Sequence, residues 1–116
     1  MPADKKFVYT IYRQLFEENF ERYKFYLNKP ADSGSDAYAK ARNALPSLDE
    51  AKRADVIDFL KVVIADSAAG ILATLDGVSF PGNLDGEFVL SYNDEAIQGD
   101  LADIFIEKGQ DDDVYG

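Results

Sequence analysis

The side chains of this chain that could do chemistry are carboxylates, lysines, serines and tyrosines. The 116 residues include neither histidine nor cysteine. Imidazole bases, the Ser-His-Asp triad, thiolate nucleophiles, disulfides and metal sites built on these ligands are therefore excluded. Asp66 is the most notable acid, because it interrupts an apolar stretch. The sequence leaves open whether Asp66 is buried, and we expect it to face water. Buried beside a tyrosine, it would form a small acid–base site.

The other candidate motifs, a carboxylate pair, a calcium loop and a phosphate loop, do not have the residue positions that their chemistry requires. Asp55 and Asp58 are three residues apart but lie off the apolar face of their predicted helix, as solvated charges do. The segment 32–36 is rich in oxygen ligands, but the twelfth position from Asp32 is Asn43 rather than the glutamate of an EF-hand. The glycines of the 77–86 loop have no lysine nearby and match no phosphate-binding motif. We therefore expect a protein that is not an enzyme, with no catalytic residue, no cofactor and no metal.

The charge is unevenly distributed along the chain. Residues 1–61 carry 11 basic and 10 acidic side chains, whereas residues 62–116 carry one basic and 12 acidic side chains, so the halves have net charges of +1 and −11. Such an acidic half repels nucleic acid and anionic membranes and attracts a basic protein. We predict that the partner-binding residues lie in this half and include one exposed aromatic anchor: Glu87, Tyr92, Asp94, Glu95, Asp100, Asp103 and Glu107.

The cellular compartment is predicted from the signal peptide, membrane span and cysteines that this sequence lacks. The N-terminal residues are charged and no signal-peptide core follows them, and Lys61 and Asp66 interrupt the longest apolar stretch, so no membrane span is expected. Together with the absence of cysteine, this indicates a cytoplasmic protein.

Two long helices are predicted to position these residues. The first runs from Asp4, which can cap it, to about Asn28, and Pro30 ends it. Its apolar and aromatic face covers about half the cylinder, which suits a central helix or a homodimer closed through that face. The second follows a capping box of Ser47 and Glu50 and runs to about Leu75, where Asp76-Gly77 stops it. Gly70 leaves a break open as the alternative, with 71–75 as a strand.

The remaining elements are short. We predict a helix from Ala37 to about Leu45, capped by Ser35 or Asp36 and closed by Pro46. A strand over 87–92, a turn over 93–95 and a strand over 96–98 form a hairpin. A last helix runs from Leu101 to about Glu107, capped by Asp100 and stopped by Gly109. The predicted fold is α+β and mostly helical, with two long helices and one or two short helices packed with a small antiparallel β-hairpin. Residues 1–109 form one domain, and 110–116 form a mobile acidic tail.

Three apolar segments of the C-terminal part, 71–78, 86–90 and 100–105, resemble small bacterial proteins of the immunity-protein type from polymorphic toxin systems. The resemblance covers about residues 71–116 and rests on apolar patterning and a Leu-Asp-Gly sequence. Immunity proteins share no catalytic motif, so the resemblance implies a cytoplasmic inhibitor of a toxic partner and assigns no functional residue.

These observations give three functional hypotheses. The leading one is an immunity-like inhibitor that engages a basic toxin or nuclease through its acidic half. The alternative is an acidic DNA mimic of the anti-restriction type, which requires regularly spaced exposed carboxylates. The third is a small enzyme that uses Asp66.

Overall fold

The computed structural model describes residues 1–82, 84 and 86–116. This part of the chain is mostly helical with one two-stranded antiparallel sheet, so the predicted α+β class is confirmed. Two helical segments, α1 and α2, are joined end to end, and the number of helices is only partly as predicted. The elements are α1 Ala3–Arg13, α2 Phe20–Leu27, α3 Ala37–Ala44, α4 Glu50–Leu75, β1 Ser91–Tyr92, β2 Glu95–Ala96 and α5 Leu101–Asp111.

The predicted first helix forms over nearly its full length but begins differently. Helix α1 starts at Ala3 after Pro2, and no side chain caps it. The predicted cap Asp4 is wrong, because this residue lies within the first turn and its carboxylate accepts a hydrogen bond from the Lys5 N–H at 2.7 Å. An acidic side chain in the first turn still interacts favourably with the positive end of the helix dipole.

A π-helical turn, Gln14–Asn19, joins α1 to α2. In an α-helix, residues four apart advance by about 40° around the axis. A π turn takes more residues per turn, so it cancels part of this drift. As a result Val8 and Tyr12 in α1 and Phe20 in α2 are all buried, and a row of residues four apart stays on one side of the helix.

Helices α3 and α4 are joined by a 3-10 turn, Leu45–Ser47. Asp36 caps α3 by accepting a hydrogen bond from the Ala39 N–H at 2.8 Å, as predicted. The predicted capping box at Ser47 is wrong, because the Ser47 hydroxyl donates to the Ala44 carbonyl. Asp49 caps α4 instead, accepting from the Lys52 N–H at 2.8 Å.

Helix α4 is continuous through Gly70 to Leu75, which excludes a strand over 71–75. The predicted stop is confirmed: Gly77 follows with a φ of +76°, a conformation that glycine adopts without steric cost.

The hairpin forms in the predicted region, but its strands are shorter, and Glu95, which was predicted in the turn, begins β2. Ser91 pairs with Ala96 and Tyr92 with Glu95. The turn residues Asn93 and Asp94 have φ values of +50° and +66°, which is the pattern of a type I′ hairpin turn. The predicted strands over 87–92 and 96–98 are therefore too long, although Leu90 still exchanges hydrogen bonds with Ile97 and Gln98.

Helix α5 continues past its predicted end. Gly109 does not stop it, because the helix runs to Asp111 and Gly109 is buried within it. A Cβ at this position would lie 3.6 Å from the Tyr115 ring, so the C-terminal turn packs closely on the helix. Val114 in that turn belongs to the core. The core therefore extends beyond residue 109, and the mobility of 110–116 stays a prediction.

The core consists of two clusters. The larger joins α1, α4, α5 and the C-terminal turn through the buried residues Val8, Tyr12, Ala65, Leu72, Leu101, Ala102, Phe105 and Val114. The smaller joins α2, the 3-10 turn and α4 through Phe20, Leu45 and Ile57. Helix α5 thus packs against both α1 and α4 and joins them.

Candidate functional site

The structure places all seven predicted partner-binding residues on the surface. We call the set formed by Glu87, Tyr92, Asp94, Glu95, Asp100, Asp103 and Glu107 the acidic surface. Each is exposed, and Tyr92 retains 42% of its accessible area. In the part of the chain that the structure describes, salt bridges involve other carboxylates, those of Asp32, Asp49 and Asp112. The acidic surface therefore carries carboxylates that no internal cation neutralises at short range.

Helix α5 gives part of this surface a regular spacing. Leu101 and Phe105 are fully buried and fix the helix against the core. The opposite face presents Asp100, Asp103 and Glu107, and Asp111 continues the row. Residues three or four apart on one helix face are separated by about 4.5–6 Å along the axis. The carboxylates on α5 thus form a line.

Tyr92 connects the hairpin to the start of α1. The Lys6 Nζ lies 5.6 Å from the centre of the Tyr92 ring. These two residues, with Ala3, Phe7 and Thr10, line a small surface cavity of about 220 Å³. A cation over an exposed tyrosine contributes about 0.5–1 kcal/mol. The contact leaves Tyr92 exposed and favours one orientation of its ring, and it places one positive charge beside Tyr92.

Asp76, which sequence reasoning treated only as a helix stop, positions α5. Its Oδ1 accepts hydrogen bonds from the N–H groups of Gly99 at 2.6 Å and Leu101 at 3.1 Å. Its Oδ2 accepts from the Ala102 N–H at 2.8 Å. The predicted cap Asp100 makes no side-chain cap hydrogen bond, so that prediction is wrong. Because Asp76 takes over the capping, the Asp100 carboxylate remains on the acidic surface.

Asp66 lies on the surface of α4, which answers the question left open by the sequence. Its neighbour is Tyr115 of the C-terminal turn. Burial raises the pKa of Tyr115, and the charge and hydrogen bond of Asp66 raise it further. The enzyme hypothesis requires a buried Asp66, so the exposed position of this residue lends it no support.

A second tyrosine ties the C-terminal turn to α1. Burial raises the pKa of Tyr12 above its ordinary value, and the hydrogen bond and charge of Asp112 add to the shift. The Lys108 Nζ lies 3.3 Å from the Asp112 carboxylate and 5.7 Å from the centre of the Tyr12 ring. The three side chains form a polar clasp between α1 and the end of α5.

The oxygen-rich segment 32–36 has a structural role. The Gly34 N–H donates to the Asp32 carboxylate at 2.8 Å, and the Arg42 Nη2 donates to it at 2.7 Å. These contacts hold the pKa of Asp32 below its ordinary value, with the Gly34 hydrogen bond as the larger cause. Arg42 is buried and also donates to the Tyr26 carbonyl at 3.3 Å. The segment is thereby fastened to α3.

A large cavity, which the sequence did not predict, is an apolar groove. The groove lies between α4 on one side and α1, the π turn and α2 on the other. No residue of α5 lines it, and its volume is about 590 Å³. The apolar groove is lined by Phe7, Ile11, Leu15, Asn19, Tyr23, Leu60, Val63, Ile64, Ser67, Ala68, Ile71, Leu72 and Leu75. Two of its members are well exposed, Val63 at 47% and Ile71 at 66%. A neighbouring cavity of about 290 Å³ shares Tyr23 and Leu60 with the groove and extends it toward α3.

The described residues contain no group of three or more acidic side chains placed to hold a metal ion. Within the same residues, none of the helices has the length and apolar character that a membrane crossing requires. Comparison with known proteins gives no match to a family model, to a curated protein sequence or to a solved structure.

Proposed function

We propose that this chain is a non-catalytic, cytoplasmic binding protein, an immunity-like inhibitor that engages a basic toxin or nuclease through the acidic surface. The observation that supports this is the exposure of six carboxylates and Tyr92 on the hairpin and α5. Like charges held close together are unfavourable in the free protein. A cationic partner would offset that repulsion.

The expected mechanism is electrostatic steering followed by occlusion. Proteins that bind phosphates carry basic active-site surfaces, and complementary charge raises association rates by about 10- to 1000-fold at low salt. Tyr92, with an apolar ring and a hydrogen-bonding hydroxyl, would supply the central contact. Binding of this kind blocks the partner without any chemical step in this chain.

The test is a charge reversal that leaves the fold intact. Asp94 is kept, because a lysine at its positive φ would strain the turn. The reversed variant is Glu95→Lys, Asp103→Lys and Glu107→Lys. A matched control makes the same change of charge on the first helix, at exposed residues outside the acidic surface: Glu17→Lys, Glu18→Lys and Glu21→Lys. Each exposed change should alter stability by no more than about 0.5 kcal/mol.

Proteins retained from lysate by the wild type would be identified, purified and measured in association kinetics over a range of salt concentrations. We expect the reversed variant to associate at least about 10-fold more slowly than the wild type and the control, and added salt to slow the wild type. Equal rates for the reversed variant and the control at every salt concentration would refute the role of the acidic surface.

An acidic DNA mimic is the second candidate, and the line of carboxylates on α5 favours it. In that case the captured protein would be a restriction or modification enzyme. Capture of a toxin or toxic nuclease whose activity this chain abolishes would favour the inhibitor.

A further inference from the structure

We infer that the apolar groove takes an amphipathic, basic helix of the partner that docks on the acidic surface. The inference rests on the proposed function, because that partner supplies the helix. It adds a second contact to the interface. Charge guides the partner to this chain, and the groove then holds one of its helices.

The walls of the groove are two antiparallel helices. Val8 shares a core cluster with Leu72, near the end of α4, and Phe20 shares the other cluster with Ile57, near the start of α4. The first helix therefore runs from the end of α4 toward its start. Two antiparallel helices leave a furrow between them into which a third helix can pack, as in helical bundles.

Helix α5 shows which kind of helix α1 and α4 accept. It packs against both of them. Leu101 and Phe105, four residues apart, are fully buried in this contact, while Asp103 and Glu107 stay exposed. An amphipathic helix of this chain thus already contacts the same two helices. No residue of α5 lines the groove, so the groove is a further place for a helix of this kind.

The length and the lining of the groove fit a helix of about four turns. On α4 the lining extends from Leu60 to Leu75, which is about 22 Å along the axis and equals a helix of about 15 residues. None of the described lining residues is charged. Val63 and Ile71 are 47% and 66% exposed. A partner helix with apolar residues at i, i+3, i+4 and i+7 would therefore cover apolar surface that is already accessible.

The groove adjoins the acidic surface at Phe7. This residue lines the groove, and it also lines the small cavity that contains Lys6 and Tyr92. Tyr92 belongs to the acidic surface. A protein seated on the acidic surface therefore reaches the end of the groove formed by Phe7 and Leu75.

Charge makes a basic helix the complementary occupant. Asp4 lies three residues before Phe7 and thus on the same face of α1. The last turn of α4, which forms the other wall at this end, contains no basic residue, and the C-terminal end of a helix carries partial negative charge. The chain as a whole has a net charge of −10. Lysines or arginines on the outer face of the bound helix would meet a negative potential along this end of the groove.

A synthetic peptide tests the groove without the partner. The peptide has about 14 residues, with leucines on one helical face and lysines on the other. Its control has the same composition but distributes the leucines around the helix. We expect the wild-type chain to bind the first peptide with a Kd on the order of 10 μM, at least 10-fold more tightly than the control. Circular dichroism should show that the bound peptide gains helix. Equal affinity for the two peptides would overturn the inference, because charge alone would then explain the binding.

Two substitutions on α4 form a matched pair. Val63 and Val56 are 47% and 49% exposed, and of the two Val63 lines the groove. Val63→Arg should weaken binding of the amphipathic peptide at least about 10-fold, whereas Val56→Arg should change the Kd by no more than about 2-fold. Ile71→Ala removes apolar area at an exposed position without changing the charge, and it should weaken binding by about 3- to 10-fold. Unchanged affinity in both Val63→Arg and Ile71→Ala would overturn the inference.

The same pair separates this inference from the proposed function once a partner is in hand. Equal dissociation rates for Val63→Arg and Val56→Arg, with association still dependent on the acidic surface, would refute the inference and leave the proposed function standing. Faster dissociation of Val63→Arg, with no effect of reversing the acidic surface, would support the groove contact and remove the role of that surface. A free wild type that is a dimer by sedimentation and becomes a monomer in Val63→Arg would also overturn the inference, because a second copy would then occupy the groove.

Discussion

The carboxylate of Asp76, at the end of α4, is the N-terminal cap of the helix that begins at Leu101. The two residues are 25 positions apart, and the Leu101 N–H donates to the Asp76 Oδ1 at 3.1 Å. With the hydrogen bonds from Gly99 and Ala102, one side chain satisfies three N–H groups at the start of α5. It also fixes the direction in which α5 presents its carboxylates.

The first prediction concerns this cap. Asp76→Ala should lower the free energy of unfolding by about 2 kcal/mol, because three N–H groups lose a charged acceptor. Asp100→Ala is the matched control, since Asp100 precedes α5 but makes no cap hydrogen bond. It should cost no more than about 0.5 kcal/mol. Urea unfolding would measure both, and a larger loss for Asp100→Ala would contradict the assignment.

The second prediction concerns two glycines, one inside a helix and one just after a helix. Gly109 lies inside α5, and a Cβ there would meet its nearest neighbours at ordinary contact distances. Gly109→Ala should therefore stabilise the protein by up to about 1 kcal/mol. Gly77 has a φ of +76°, so Gly77→Ala should destabilise it by about 1 kcal/mol. Thermal melts of the two variants should shift in opposite directions, and a loss at Gly109 would argue that α5 ends there.

The third prediction concerns acid. The folded-state pKa of Asp32 is lowered, so its contribution to stability is present above the unfolded value of about 3.9 and is lost as the pH falls through the folded value. Asp32→Asn should melt below the wild type at neutral pH, and the gap should close below about pH 4. Asp55→Asn, at an exposed site on α4, controls for the loss of one charge. A gap that is constant with pH would mean that Asp32 acts only through its neutral contacts.

The fourth prediction concerns alkali. The folded-state pKa of Tyr12 is raised, so the stability it confers is present below the unfolded value of about 10 and is lost as the pH rises above that value. Tyr12→Phe should therefore lose less stability than the wild type between about pH 9 and pH 11. Tyr38→Phe, at an exposed site, is the control. Parallel losses in all three proteins would show that the clasp with Asp112 does not couple folding to this ionisation.

Local pattern predicted the helices well. The apolar periodicity over 4–28 and 47–75 identified both long helices. The cap at Asp36 and the stop at Gly77 were also predicted, because each depends only on neighbouring residues. The cap provided by Asp76 was missed because its partners lie 23 to 26 residues further along the chain. Asp100 was misread for the same reason, since it stands where a local cap is usual.

The candidate site was predicted in part. Charge segregation located the acidic surface, because charged side chains near turns and on the outer face of a short helix stay in water. The contact of Lys6 with Tyr92 could not be predicted, as it joins the two ends of the chain. The groove was missed because both long helices have broad apolar faces, and sequence does not show which parts of these faces meet. Helix α5 packs against both α1 and α4, and the groove between the first helix and α4 stays open.

The π turn at Gln14–Asn19 holds one residue more than an uninterrupted α-helix would need for the same rotation. Val8 and Phe20 both reach the interior because the turn between them accommodates this extra residue without extra rotation. Removing one residue from 14–19 should therefore let an α-helix run through and keep α2 in nearly the same orientation relative to α1. Phe20 would then stay with Leu45 and Ile57. Removing a residue elsewhere in the first helix would instead rotate the following part by about 100°, so a single deletion should be tolerated within 14–19 and not on either side of it.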